Sequence, residues 1–286
     1  IFHQLCDHVG VPIKHSKTVL PSQVVELHGL LVNTVKQTIY LPSDKRDKAM
    51  DLLQAMLCRK TTTLRQLQSL IGVLSFATRA VEGGRAFLRR LIDLTIGVKR
   101  PFHHIRITSE ARKDIQAWML FLREFDGLMY FRHINWSSSD TISLYTDSSN
   151  KGYAAMFGSH WTYGTWPDTW KQYHITIKEM FPITLALSLW ADKLRNHRII
   201  FVTDNQAIAH CLLKHSSKDL TIMRLIRSLI VCALKNNIVF TSRWIPTHSN
   251  TIADLLSRLS ITQALRIAPW LDREPTHVPE ALRPWI

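Results

Sequence analysis

From residue 141 the chain settles into a rhythm that leaves few folds open. ISLYT, GYAAMF and HWTYGTW read as three strands joined by short turns. ITIKEMFPITLALSLWADKL then reads as a helix, RIIFVT as a strand, DNQAIAHCLLK and LTIMRLIRSLIVCALKN as helices, IVFTSRWI as a strand and NTIADLLSRL as a last helix. An antiparallel trio followed by alternating helix and strand predicts an α/β fold, a mixed sheet with helices packed on it.

Acids are scarce in this stretch. Residues 141–270 hold Asp147, Asp168, Glu179, Asp192, Asp204, Asp219 and Asp254. Asp147 closes the first strand, Asp204 closes the fourth, Glu179 lies in the first turns of a helix, and Asp254 sits on the last helix. If the first and fourth strands are neighbours, Asp147 and Asp204 come side by side, and helices crossing that edge add Glu179 and Asp254. Taken singly, each has an ordinary role as a cap, turn or solvated residue. As a group they repel one another, so the cluster is stable mainly when cations neutralise it, and hard oxygen ligands select Mg²⁺ or Mn²⁺. Two such ions about 3.5–4 Å apart activate a water and stabilise a leaving oxygen in phosphodiester cleavage. His248, on the loop before the helix of Asp254, is either a solvated loop histidine or, by its position relative to Asp254, a candidate to reach a phosphate or a bound water.

The charge agrees with such a substrate. Lys and Arg number 36 against 22 Asp and Glu, a formal net charge of +14 spread over both halves, which favours nucleic acid as partner. The four cysteines, Cys6, Cys58, Cys211 and Cys232, show no zinc or disulfide spacing and suit a reducing compartment, the cytoplasm or nucleus. No signal peptide or membrane-spanning run is visible. The start at Ile1 suggests a piece of a longer chain.

The first half differs. VVELHGLLVNTVKQTIYL, residues 24–41, reads as a hairpin or meander. Helical spacing follows over Asp44–Cys58, Thr63–Ala80, the RAFLRRLIDL segment after Gly83-Gly84, and Ser109–Phe125. Arg79, Arg85, Arg89 and Arg90 in this module are candidates for phosphate contacts or plain exposed helix faces. NWSSSD, residues 135–140, is the best linker, and PTHVPEALRPW near the end reads as a linker or extended tail.

The blocks TDSSNKGYAA, IKEMFPITLAL, FVTDNQA and IPTHSNTIADLLSR resemble, in order and spacing, the four blocks of retroelement ribonuclease H domains. The resemblance implies a ribonuclease H-like fold over residues 141–262, a site of two Mg²⁺ or Mn²⁺ on Asp147, Glu179, Asp204 and Asp254, and His248 as an aid to turnover. In it Asp147 and Asp204 hold the central places and Asp254 the most adjustable. The upstream segments VPIKHSKTVLPSQVVELHGLLVNT and TTLRQLQSLIGVLSFATRAVEGGRAFLRRL resemble the end of a reverse transcriptase palm (1–42) and its thumb and connection region (43–134), with 263–286 as a tail. The second of these blocks and ADLLSR are most similar to the tyrosine-recombinase retrotransposons of the DIRS group. Departures are Ala155 where relatives often carry a second Gly, Thr247 where Pro-Gly-His is usual, and no Tyr- or Phe-x-Asp-Asp turn, so a polymerase core would have to lie upstream or be lost.

The implied substrate is an RNA–DNA hybrid, read through its 2′-hydroxyls. Ser148, Ser149, Asn205 and Gln206 flank the acids and are the candidates for that contact, or ordinary turn and cap residues. Trp161, Trp166, Trp170 and Trp244 are either stacking platforms or sheet packing. The competing function is a non-catalytic nucleic-acid-binding remnant of a decayed element. Oligomeric state is not legible.

Overall fold

A computed structural model describes residues 2–14, 18–81, 83–124, 128–130 and 141–283. The expected linker at 135–140 lies outside the described residues.

The first half opens with α1 (Phe2–His8) and continues as a meander, β1 (Val24–Leu27), β2 (Leu30–Asn33) and β3 (Thr38–Tyr40), which β6 (Leu128–Tyr130) extends into a four-stranded antiparallel sheet. Four helices follow the meander: α2 (Ser43–Leu57), α3 (Leu64–Ala77), α4 (Arg89–Asp93) and α5 (Ser109–Glu124). Thr63 starts α3 with a reciprocal cap, its hydroxyl accepting from the Gln66 amide while Gln66 Oε1 accepts from the Thr63 amide. The module is less purely helical than expected. Besides β6 it contains a two-stranded antiparallel ribbon of β4 (Thr61–Thr63) and β5 (His104–Arg106), and the RAFLRRLIDL segment divides at Leu88 into a 3-10 turn, Gly84–Phe87, and α4.

The second half has the mixed sheet and flanking helices that a ribonuclease H-like fold requires. Its strands are β7 (Thr141–Ser148), β8 (Gly152–Phe157), β9 (His160–Thr165), β10 (Arg198–Thr203) and β11 (Val239–Trp244), in the order β11-β10-β7-β8-β9. β8 runs antiparallel to both β7 and β9, whereas β10 is parallel to both β7 and β11. The first and fourth strands are therefore adjacent, with Val202 opposite Tyr145. The helices are α6 (Asp168–Lys171), α7 (Ile175–Leu189), α8 (Ala191–Leu194), α9 (Gln206–Lys214), α10 (Leu220–Lys235), α11 (Thr251–Ser257) and α12 (Ile261–Ile267).

Side chains of β8 alternate between two cores, as strand geometry demands. Tyr153 and Ala155 face the core on the α7 side, with the Tyr153 ring against Phe181; Ala154 and Met156 pack with α11, α12, Trp161 and Leu271. Helix α7 is buried along its length from Ile177 to Leu187 because it lies between the sheet and α10. The apolar core is continuous from the first half into the second. At their junction Asp114 of α5, 1% exposed, meets Arg90 at 3.1 Å and Arg227 of α10 at 3.3 Å, while Arg227 Nε donates to the Ala86 carbonyl.

After α12, residues 272–276 are anchored along the sheet. The Asp272 amide donates to the Ser159 carbonyl, the Thr276 amide to the Trp161 carbonyl, and the Trp161 and Trp190 indoles donate to Asp272 O and Thr276 Oγ1. Among the described residues no helix is long and apolar enough to cross a membrane.

Candidate metal centre

Strand β7 delivers Asp147 opposite Ala154 of β8, and β10 ends one residue before Asp204. The parallel pairing of the two strands brings these acids together. Glu179 arrives from the opposite face of the sheet, in the second turn of α7. One carboxylate oxygen from each of Asp147, Glu179 and Asp204 lies within 4.8 Å of the others.

A proline helps hold this junction. Pro182, inside α7, has no amide hydrogen, so the carbonyl of Lys178, four residues earlier, lacks its helical donor. The hydroxyl of Ser148 fills that place, donating to Lys178 O at 2.9 Å. Ser148 follows Asp147 and Lys178 precedes Glu179, so a single bond ties the strand of one acid to the helix turn of the other. Ser149 Oγ donates to the Ser257 carbonyl and accepts from the amides of Lys151 and Gly152. Both hydroxyls, candidates for RNA contact or for ordinary turn chemistry, are engaged within the fold.

Asp147 is buried. Its Oδ2 accepts from Ser257 Oγ at 2.5 Å, a partner on α11 that no local pattern announces. Burial pushes the Asp147 carboxyl up to about 6, against the Ser257 bond, with the charges of Asp204 and Asp254 adding to the rise. Glu179 is pushed further, to about 9, first by burial and then by Asp147, Asp204 and Asp254. Its Oε2 is buried without a hydrogen-bond partner. A buried carboxylate oxygen without a donor, beside two further acids, fits a cation better than any protein group present.

Asp254 stands apart from the three. Its Oδ1 meets Arg258 Nε at 2.8 Å, one helical turn on. Its charge nevertheless acts on Asp147 and Glu179. His248 is exposed on the 3-10 turn Thr247–Ser249, with its carbonyl accepting from Thr251 Oγ1. Asn205 caps α9, its Oδ1 accepting from the amides of Ala207 and Ile208, and Gln206 opens that helix with an exposed side chain. Trp161, Trp166 and Trp170 are core residues. Trp244 is 44% exposed, and its indole donates to the Asp204 carbonyl at 2.8 Å, fixing the backbone of that acid.

The arginines singled out in the first half are mostly engaged within the protein. Arg90 pairs with Glu110 and Asp114, Arg89 with Asp93, and Arg79 lies over the Phe76 ring; Arg85 is exposed.

No family model matches the chain, and no curated protein matches it. Among solved structures it is similar to the foamy viral protease–reverse transcriptase in complex with double-stranded DNA, at 16% identity and a TM-score of 0.34, over 78% of this chain and 38% of that one. It is also similar to RNase H1 of the halophilic archaeon Halobacterium salinarum, at 15% identity and 0.36, over 43% of this chain and 98% of that one. A third likeness is to an N-terminal RNase H domain of Mycobacterium tuberculosis, solved as a fusion with maltose-binding protein, at 14% and 0.37, over 46% and 99%.

Proposed function

We propose that the chain is a metal-dependent endonuclease that hydrolyses the RNA strand of RNA–DNA hybrids, within a longer retroelement polyprotein of the DIRS-like group. The observation that carries the reading is the meeting of Asp147, Glu179 and Asp204 within 4.8 Å, with Glu179 Oε2 buried and unpartnered. Asp254 joins them by exchanging Arg258 for a cation. When bound, two Mg²⁺ or Mn²⁺ ions would supply Lewis-acid activation of the attacking water and stabilise the leaving oxygen.

The protein's own groups do the rest. Asp147, on β7, and Asp204, just past the end of the adjacent β10, form one side of the centre, while Glu179 is held by the bond between Ser148 and Lys178. Gln206, with its exposed amide beside Asp204, takes the 2′-hydroxyl contact together with Asn205; Ser148 and Ser149 support it from beneath. His248, on an exposed turn before α11, assists turnover by contact with a phosphate or water. We assign residues 141–262 to the nuclease domain and 1–42 and 43–134 to the end of a palm and to a thumb and connection region, working in the cytoplasm or nucleus against an upstream palm.

The test is cleavage of a labelled RNA strand annealed to DNA, with Mg²⁺, Mn²⁺ or EDTA, and duplex DNA as control. Metal-dependent cutting of the hybrid alone supports the reading. Salt-sensitive binding without cutting in either metal overturns it in favour of a non-catalytic binding remnant.

A further inference from the structure

The ribbon of β4 and β5 has no part in the metal centre, yet it concentrates charge of one sign. Thr62 and Ile105 turn inward, while Thr61, His104 and Arg106 are exposed, with Thr61 opposite Arg106 and Thr63 opposite His104. Around these two short strands stand Arg59, Lys60, Arg65, Lys99, Arg100 and Arg106, all exposed. The segments RKTTTLR and KRPFHHIR that form the ribbon and its flanks contain no acid. None of the six cations is in an ion pair with a described residue, in contrast to Arg89 and Arg90 nearby in sequence.

The ribbon is also firmly built. The amides of Leu64 and Arg65 donate to the carbonyls of His103 and Pro101, pinning the loop before β5 to the start of α3. The Ile107 amide donates to Lys60 O, and the Arg112 guanidinium donates to the carbonyls of Leu57 and Arg59. At its foot is an open recess of about 680 Å³ lined by Lys60, Arg106, Ile107, Thr108, Ser109 and Arg112. Thr108 and Ser109 bring the start of the 16-residue helix α5 to that recess, and the one acid of its first turn, Glu110, is paired with Arg90 and Lys113. Like charges crowded on a rigid surface raise the free energy of the free protein, and a polyanion relieves that repulsion.

We propose that the β4–β5 ribbon and its recess form a second nucleic-acid contact, gripping backbone phosphates of the bound duplex independently of sequence. The inference rests on the reading that the substrate is a nucleic-acid duplex, and it deepens that reading by assigning the grip. Lys60 and Arg106 flank the recess and hold a phosphate between them; Arg59, Arg65, Lys99 and Arg100 extend the track. Helix α5 packs on the 3-10 turn Gly84–Phe87, and that turn packs on α10, so a duplex held here is held by a body joined directly to the nuclease half.

The experiment is binding of an RNA–DNA hybrid by the full chain in EDTA, followed by anisotropy between about 50 and 200 mM salt, for the native protein, Lys60→Ala/Arg106→Ala and a charge-matched control, Lys214→Ala/Lys235→Ala. Each phosphate contact removed lowers the slope of log K against log salt by about 1, so the ribbon variant is shallower by about 2 and binds hybrid and duplex DNA more weakly alike. The control keeps the native slope. In Mg²⁺ the ribbon variant shows a raised KM with kcat unchanged. An unchanged slope and affinity, or an equal fall in the control, overturns the proposal. If the native chain cuts the hybrid and the ribbon variant binds normally, only the grip fails. If a chain that cuts nothing still shows the ribbon-dependent slope, the nuclease reading fails and the grip stands. A native chain that binds no duplex removes both.

Discussion

At the scale of single residues the centre depends on protons and on one misplaced carbonyl. Glu179 has its carboxyl pushed up to about 9 from 4.5, so the folded chain without metal binds a proton there that the unfolded chain has released. Stability from this group is therefore greatest below about pH 4.5 and falls as pH rises toward 9, with Asp147, at about 6, steepening the early part of the loss. Glu179→Gln removes the main source of that loss. In EDTA at pH 8 the variant melts above the native chain, and added Mg²⁺ raises the native midpoint far more than the variant's; scanning calorimetry from pH 5 to 8 reads both, and a native midpoint that rises over this range relative to the variant contradicts it. The Ser148–Lys178 bond gives a second prediction. Ser148→Ala strands a buried carbonyl at a cost of about 1–3 kcal/mol. Pro182→Ala restores the missing helical amide, so the double variant recovers most of that loss in a double-mutant cycle by urea denaturation; strictly additive effects would refute the assignment. Asp147 and Asp204 are legible in the sequence because each closes an apolar run. Ser257 is not, since its bond to Asp147 spans 110 residues. Nor is the bond of Ser148, which reads as a turn residue until Pro182 is seen to need it.

At the scale of elements, periodicity carries the long helices and fails on the short pieces. α2, α3, α5, α7 and α10 each span three turns or more, enough for an apolar stripe to declare itself. β4 and β5 have three residues apiece, TTT and HIR, too few to show alternation, and their pairing closes a long loop. Gly83-Gly84 reads as a separator between helices. Its physical reason lies across the junction: Gly83 has φ +78°, and a Cβ there would fall 2.6 Å from Ile230 Cγ2 of α10. The same junction buries Asp114, whose carboxyl burial lifts to about 6 in spite of Arg227 and Arg90 beside it. Asp114→Ala leaves the buried Arg227 guanidinium without its carboxylate and Arg90 with Glu110 alone, and should cost about 3–5 kcal/mol in urea denaturation. A loss below about 1 kcal/mol would show that the ion cluster is not what fastens α5 to α10.

At the scale of the whole molecule, the fold class was legible because the order of strands and helices admits few sheets, and the strand adjacency that joins Asp147 to Asp204 follows from it. The packing of the last segment was not, because its prolines signal only that it is neither helix nor regular strand. In the structure Ala264, Ala268 and Leu271 complete the second core with Trp161 and Leu256, and residues 272–276 bond along the free edge of β9. A chain ended after residue 262 therefore uncovers the Trp161 and Trp190 indoles and an open strand edge, and is expected to melt well below the full chain and to aggregate on heating; equal midpoints would count against this. Whether the gathered acids cut a nucleic acid decides what the molecule does. The most direct measurement is hybrid cleavage in Mg²⁺ by the native chain beside Asp147→Asn and Asp204→Asn, with hybrid binding recorded on the same samples. Loss of cleavage in both variants with binding retained is the predicted result, and cleavage surviving in both would contradict the site.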